Sequence, residues 1–126
     1  AWDKKLPAPY FVDAHKELCE LFADSTREGI AIAAPGFYAP QGRWVRLQPH
    51  DMKLNEKIES FRFGERRITN FEMEGSALAG LAVLMGHRAA TICTIIAQRV
   101  AKNACTDYKP FVRRMIEMAL DKLASL

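Results

Sequence analysis

Two short stretches of this chain hold side chains whose types and spacing suit ligand chemistry. In Glu72-Met73-Glu74, two carboxylates flank a thioether just after Asn70-Phe71. A carboxylate can accept two hydrogen bonds from a vicinal diol, the pattern needed to hold a ribose. It can also simply complement the positive end of a helix dipole. Helix capping explains one glutamate well and two less well, because an acidic group beside a buried helix costs free energy unless it is paired or meets a ligand. Spacing alone favours capping. The second stretch is Gly36-Phe37-Tyr38-Ala39-Pro40-Gln41-Gly42-Arg43. Gln41 offers an amide donor and acceptor together, matching the amide-like edge of a nucleobase. Arg43 offers a fork of donors to a carbonyl that gains negative charge, and Phe37 or Tyr38 offers a ring face for stacking. An ordinary surface loop with turn residues contains the same side-chain types.

Other chemistries fare worse. Cys19, Cys93 and Cys105 form no CxxC pair and leave one thiol over, which argues against a disulfide framework and for a reducing cytoplasm. His15, His50 and His87 stand far apart with no second ligand at helical spacing, so no metal site is expected. There is no GxGxxG or P-loop pattern and no glycine-rich cradle for phosphate.

The elements that must position these residues follow from periodicity. Ala14, Leu18, Leu21 and Phe22 predict an amphipathic helix over 11–25. Gly29-Ile30-Ala31-Ile32-Ala33-Ala34 is an apolar run ended by Pro35-Gly36, the pattern of a strand buried on both faces. Residues 36–50 read as loop with a short extended piece at Trp44-Val45-Arg46-Leu47, and 51–60 as a polar surface helix. Gly64 breaks it, and Arg67-Ile68-Thr69-Asn70 predicts a short edge strand. Glu72-Met73-Glu74 should open a helix to residue 85 that is apolar all round and therefore buried, with Gly86 closing it. Residues 88–97, β-branched and without alternation, predict a second central strand. Thr106 or Asp107 can cap a last helix to 126, with Val112, Ile116, Ala119 and Leu123 as its apolar stripe.

With 126 residues, 49% hydrophobic and 26% charged, the chain has material for one folded domain and is not disordered. No apolar run approaches the ~18 residues of a membrane span. The N-terminus lacks the order of features of a secretory signal, and it opens on Ala1, as expected of a chain processed or cut from something longer. A net charge of +3 could help attract phosphate, but it is too mild, and its basic residues too scattered, to argue for nucleic acid. The pattern predicts an α/β fold with a mainly parallel sheet. Two strands do not complete such a sheet, and a helix without a polar face needs cover on every side. The chain therefore reads as the second half of a larger domain.

Phe37-Tyr38-x-x-Gln41-Gly42-Arg43, Asn70-Phe71-Glu72-Met73-Glu74 and the aliphatic run ending Ile95-Ile96-Ala97-Gln98-Arg99 together resemble the C-terminal half of uridine phosphorylases, members of the nucleoside phosphorylase family. The resemblance extends from Leu6-Pro7-Ala8 to the last helix. The Glu-Met-Glu motif is shared across that family, and the Phe-Tyr-x-x-Gln-Gly-Arg motif is typical of its uridine branch. The resemblance implies a three-layer α/β/α fold with a mixed, mainly parallel central sheet, of which residues 1–126 form the C-terminal part. It implies that Gln41 and Arg43 grip the uracil edge and are the catalytic pair, and that Phe37 walls the base site. Met73 and Glu74 would lie on the ribose, and Ile96 and Ala97 would line the uracil pocket. Arg99 would stand near a base carbonyl, and Glu72 would be structural or stand behind the residues that touch the ligand.

The implied reaction is phosphorolysis of uridine to uracil and ribose 1-phosphate, with inorganic phosphate as co-substrate and no cofactor. Its implied setting is a cytoplasmic homo-oligomer, a hexamer built from dimers, with no nucleic-acid or membrane partner. Purine members carry an aspartate after the second strand that protonates the departing base, whereas no acid occurs here between Glu74 and Asp107. Phe71 and Gly75 stand where relatives often have tyrosine or an aliphatic residue, and serine, respectively. The family's phosphate site belongs to its N-terminal half. The rival readings are a purine phosphorylase or nucleosidase of the same family, and a non-enzymatic interaction or nucleic-acid-binding domain, which steeply salt-dependent binding would reveal.

Overall fold

The computed structural model describes residues 4–5, 8–98 and 103–126. Its helices are α1 (Lys16–Phe22), α2 (Leu54–Ser60), α3 (Gly75–Leu84) and α4 (Lys109–Leu123). Its strands are β1 (Ile30–Ala33), β2 (Arg62–Phe63), β3 (Arg66–Glu72), β4 (Ala97–Gln98) and β5 (Asn103–Ala104). The main sheet has the order β1-β3-β2, with β1 parallel and β2 antiparallel to β3. The sheet is thus mixed, as the resemblance implied, and it belongs to an α/β fold.

The strand at 30–33 forms where the apolar run predicts it, but at an edge of the sheet and with none of its residues buried, not covered on both faces. Its partner is the segment expected to be a short edge strand at 67–70. That segment is longer, Arg66–Glu72, and lies in the middle of the sheet. Gly64, at φ 60°, turns the chain between β2 and β3, and the two strands pair as a tight hairpin. Pairing with β2 on one edge and β1 on the other makes β3 central, a placement that its own residues, Arg-Arg-Ile-Thr-Asn-Phe-Glu, do not announce. Between β1 and β3 the register runs Ile32 to Phe71 and Ala33 to Glu72, so both strands end at the same level.

The expected second central strand over 88–97 is not formed. Residues 87–96 have no ladder, and only Ala97–Gln98 pairs, with Asn103–Ala104, in a small separate hairpin. A β-branched apolar run supplies propensity, but a strand exists only where a neighbour accepts its hydrogen bonds. Both edges of β3 are already taken, and residues 87–96 do not join the outer edge of β1. Trp44-Val45-Arg46-Leu47 likewise forms bends rather than an extended piece, and a single 3-10 turn spans Ala39–Gln41 just before it.

Helix boundaries are tighter than the periodicity predicts. α1 begins at Lys16 rather than at 11, and α2 begins at Leu54. α3 is not opened by Glu72-Met73-Glu74: Glu72 closes β3, Glu74 sits at the N-cap and Gly75 is the first helical residue. Gly86, at φ 72°, follows its end as anticipated. α4 packs against α1, where Lys122 pairs with Asp24 at 2.6 Å and holds that carboxyl below its usual range.

Buried apolar residues among those described are few: Phe22, Ala34, Ala79 and Ala82. The helix expected to be buried shows Leu78, Leu81, Val83 and Leu84 to solvent, the last at 84% exposure. Its α3–β1 contact covers only the Ala79 and Ala82 side.

Candidate active site

Both chemical stretches leave the sheet at one place. β1 and β3 run parallel and end together, and the N–H of Ala34 donates to the Glu72 carbonyl at 2.9 Å. The Phe37–Arg43 loop follows the first strand, and the Met73-Glu74 turn follows the second. Ligands of open α/β sheets bind in this position, outside the carboxyl ends of parallel strands.

The loop is wound tightly on itself. The N–H groups of Gln41 and Arg43 both donate to the Tyr38 carbonyl, at 3.0 and 2.9 Å. Gly42 makes this possible with a left-handed φ of 71°. A Cβ there would also meet the Asn55 amide at 2.6 Å. Gly42→Ala is expected to cost about 1–2 kcal/mol for the left-handed backbone alone, with a further penalty if Asn55 must shift. Urea unfolding checks this, and an unchanged midpoint would contradict it.

Gln41 and Arg43 are brought together. Arg43 donates through Nη1 to the Gln41 Oε1 at 2.6 Å and to the Phe37 carbonyl at 2.8 Å. Its guanidinium carbon lies 3.8 Å from the centre of the Phe37 ring, a cation–π contact. Tyr38 meets Phe37 edge-on at 5.4 Å. Gln41 is 4% exposed, and its Nε2 reaches the Ala34 carbonyl at a long 3.4 Å. The Nε and Nη2 donors of Arg43 have no partner among the described residues.

The two glutamates have separate fates. Glu72 turns inward, and its Oε2 accepts from the backbone N–H groups of Glu74 at 2.9 Å and Gly75 at 2.5 Å. The Glu72 carboxylate thus caps the start of α3. Glu74 occupies the N-cap position but makes no capping bond, and its carboxylate is exposed beside the half-exposed Met73. Cys93 stands close by. Burial pushes its thiol up, the Glu72 charge adds to that, and a hydrogen bond with Asn70 opposes it.

Ile96 accepts from the Cys105 N–H through its carbonyl at 2.8 Å. It lines a cavity of about 140 Å³ with Thr94, Ile95, Cys105, Tyr108 and Phe111, at the start of α4. Ala97 lies in β4, in the small hairpin beside it. Arg99 falls outside the described residues. Two contributors escaped the sequence reading: Asn55, wedged against Gly42, and Thr91, set against Gly75. Neither belongs to a motif, so only the folded chain reveals them.

Among the described residues no group of three potential ligands could hold a metal ion, and no helix is long and apolar enough to cross a membrane.

Comparison with known proteins agrees with this fold. A uridine phosphorylase of Thermococcus kodakarensis is 36% identical over 75 residues, which cover 60% of this chain and 26% of that protein. The solved structure of a Trypanosoma brucei nucleoside phosphorylase, described as showing uridine phosphorylase activity, superposes with a TM-score of 0.81 at 26% identity. That match covers 91% of this chain and 43% of the solved one, so the chain spans less than half the length of either relative. The model of the phosphorylase superfamily matches residues 3–125, and the chain belongs to that superfamily.

Proposed function

We propose that residues 1–126 form the C-terminal, base- and ribose-binding part of an enzyme that cleaves uridine with inorganic phosphate, giving uracil and ribose 1-phosphate. The observation that carries this reading is the Gln41–Arg43 pair, joined at 2.6 Å above the strand ends and next to the Glu72–Glu74 turn. In the reaction a phosphate oxygen forms the new bond to C1′ while the C1′–N1 bond breaks, and the bonding pair leaves with uracil. Positive charge gathers on the sugar and negative charge on the uracil carbonyls. The Nε and Nη2 donors of Arg43, unpartnered among the described residues, suit a carbonyl that becomes anionic, and such stabilisation needs no covalent intermediate. The long Gln41–Ala34 contact is weak enough for a uracil carbonyl to replace it. Phe37, half exposed beside them, supplies a wall for the base.

Glu74 supplies the sugar contact. Glu74→Ala is expected to impair uridine turnover while leaving the melting temperature nearly unchanged, because Glu72 already caps the helix. A variant that melts earlier and turns over normally would assign Glu74 to stability alone.

Uracil is favoured over a purine because residues 75–106 carry no aspartate or glutamate to protonate a departing purine. Phosphate-dependent cleavage of uridine, measured against inosine with the complete protein, tests the proposal. Preference for inosine would overturn it.

A further inference from the structure

We propose that Glu72 is a positioning residue for the sugar-binding turn: its carboxylate sets the direction in which Glu74 meets the ribose hydroxyls. This rests on the reading of Glu74 as the ribose acceptor. Glu72 is the last residue of the central strand, and its carbonyl is held by the Ala34 N–H at 2.9 Å. Its side chain then reaches forward and accepts from the N–H groups of Glu74 and Gly75. Glu74 is clamped a second time, since its carbonyl accepts from the Leu78 N–H at 3.0 Å. The backbone of Glu74 is therefore tied on both sides while its carboxylate stays exposed and unpartnered among the described residues. Charge-assisted hydrogen bonds of this kind are stronger than neutral ones and stiffen the turn.

Gly75 is part of the same device. A Cβ there would lie 2.9 Å from the Glu72 Cδ and Oε2, and 2.8 Å from the Thr91 hydroxyl oxygen. A side chain at residue 75 would press on the Glu72 carboxylate, the end of a flexible side chain, and displace it from its place under the turn. Two neighbouring glutamates thus divide the work: one is spent on the backbone so that the other is presented at a fixed angle.

The test is kinetic and uses the complete enzyme with uridine and 2′-deoxyuridine. The second substrate lacks one of the hydroxyls that Glu74 would accept from. Glu72→Ala should lower kcat/KM for uridine by about tenfold to a hundredfold, the scale of a misplaced contact. The loss should be markedly smaller for 2′-deoxyuridine. Glu72→Gln keeps an acceptor oxygen and should retain most activity, whereas Gly75→Ala should behave like Glu72→Ala. Adding Glu74→Ala to Glu72→Ala should cost little more, because the two act as one unit.

Equal losses on both sugars, or a lower melting temperature with unchanged kinetics, would leave Glu72 as a plain cap and overturn the proposal. If Glu72→Ala does not fold, a Gly75→Ala enzyme that still favours uridine as strongly as the parent overturns it equally. If Glu74→Ala itself fails to discriminate the two sugars, the ribose reading is what fails. If Glu74→Ala discriminates and Glu72→Ala does not, only the positioning role falls.

Discussion

Arg43→Ala in the complete enzyme should lower kcat/KM for uridine by about two to three powers of ten, the scale for losing one donor to developing charge. The structure gives the reason for so large an effect. Arg43 is held by three contacts at once: the Gln41 amide oxygen, the Phe37 carbonyl and the Phe37 ring. A donor fixed in advance pays no reorganisation when charge appears on the base. Removing it also releases Gln41 and the ring, so base orientation should suffer together with charge stabilisation. Arg43→Lys should recover little, because a single ammonium cannot reproduce the planar fork. Steady-state kinetics on the purified variants check this, and a parent-like kcat/KM would remove Arg43 from the site.

Residues 1–126 expressed alone should show no measurable phosphorolysis and should elute as oligomers or aggregate. Leu78, Leu81, Val83, Leu84 and Met85 along and after α3 are each more than half exposed. β1 is an edge strand of Ile-Ala-Ile-Ala with no charged or proline residue to blunt it. Contiguous apolar surface and an unprotected edge both promote association. The chain also covers only 43% of the solved relative and carries no glycine-rich loop for phosphate. Supplying an N-terminal part with such loops should restore both dispersity and activity. Size-exclusion chromatography with a phosphate-dependent uridine assay decides the matter: a monodisperse 126-residue chain that cleaves uridine would require a phosphate site within these residues.

Much of this protein was legible in the residues themselves. The run Gly29–Ala34 contains no polar side chain, so its strand required no partner to be recognised. Phe37, Gln41 and Arg43 lie close in the chain, and a tight loop is bound to keep them neighbours; the roles proposed for them rest on the family resemblance, since types and spacing alone also fit an ordinary loop. α4 forms where its stripe at helical spacing predicts it, but Ile116 and Leu123 of that stripe stand 49% and 45% exposed, and its ends differ because helix termini depend on local hydrogen bonds that periodicity does not encode.

What tertiary structure alone decided was pairing and division of labour. Residues 66–72 look like an edge strand, yet lie between two others, because sheet position is set by which partners arrive and not by a strand's own side chains. Residues 88–96 have the better strand sequence and join no ladder, for the same reason read in reverse. The two glutamates are chemically identical in the sequence. The turn after β3 separates them by pointing one carboxylate back at its own backbone and leaving the other outside, a difference of direction that only folded coordinates contain.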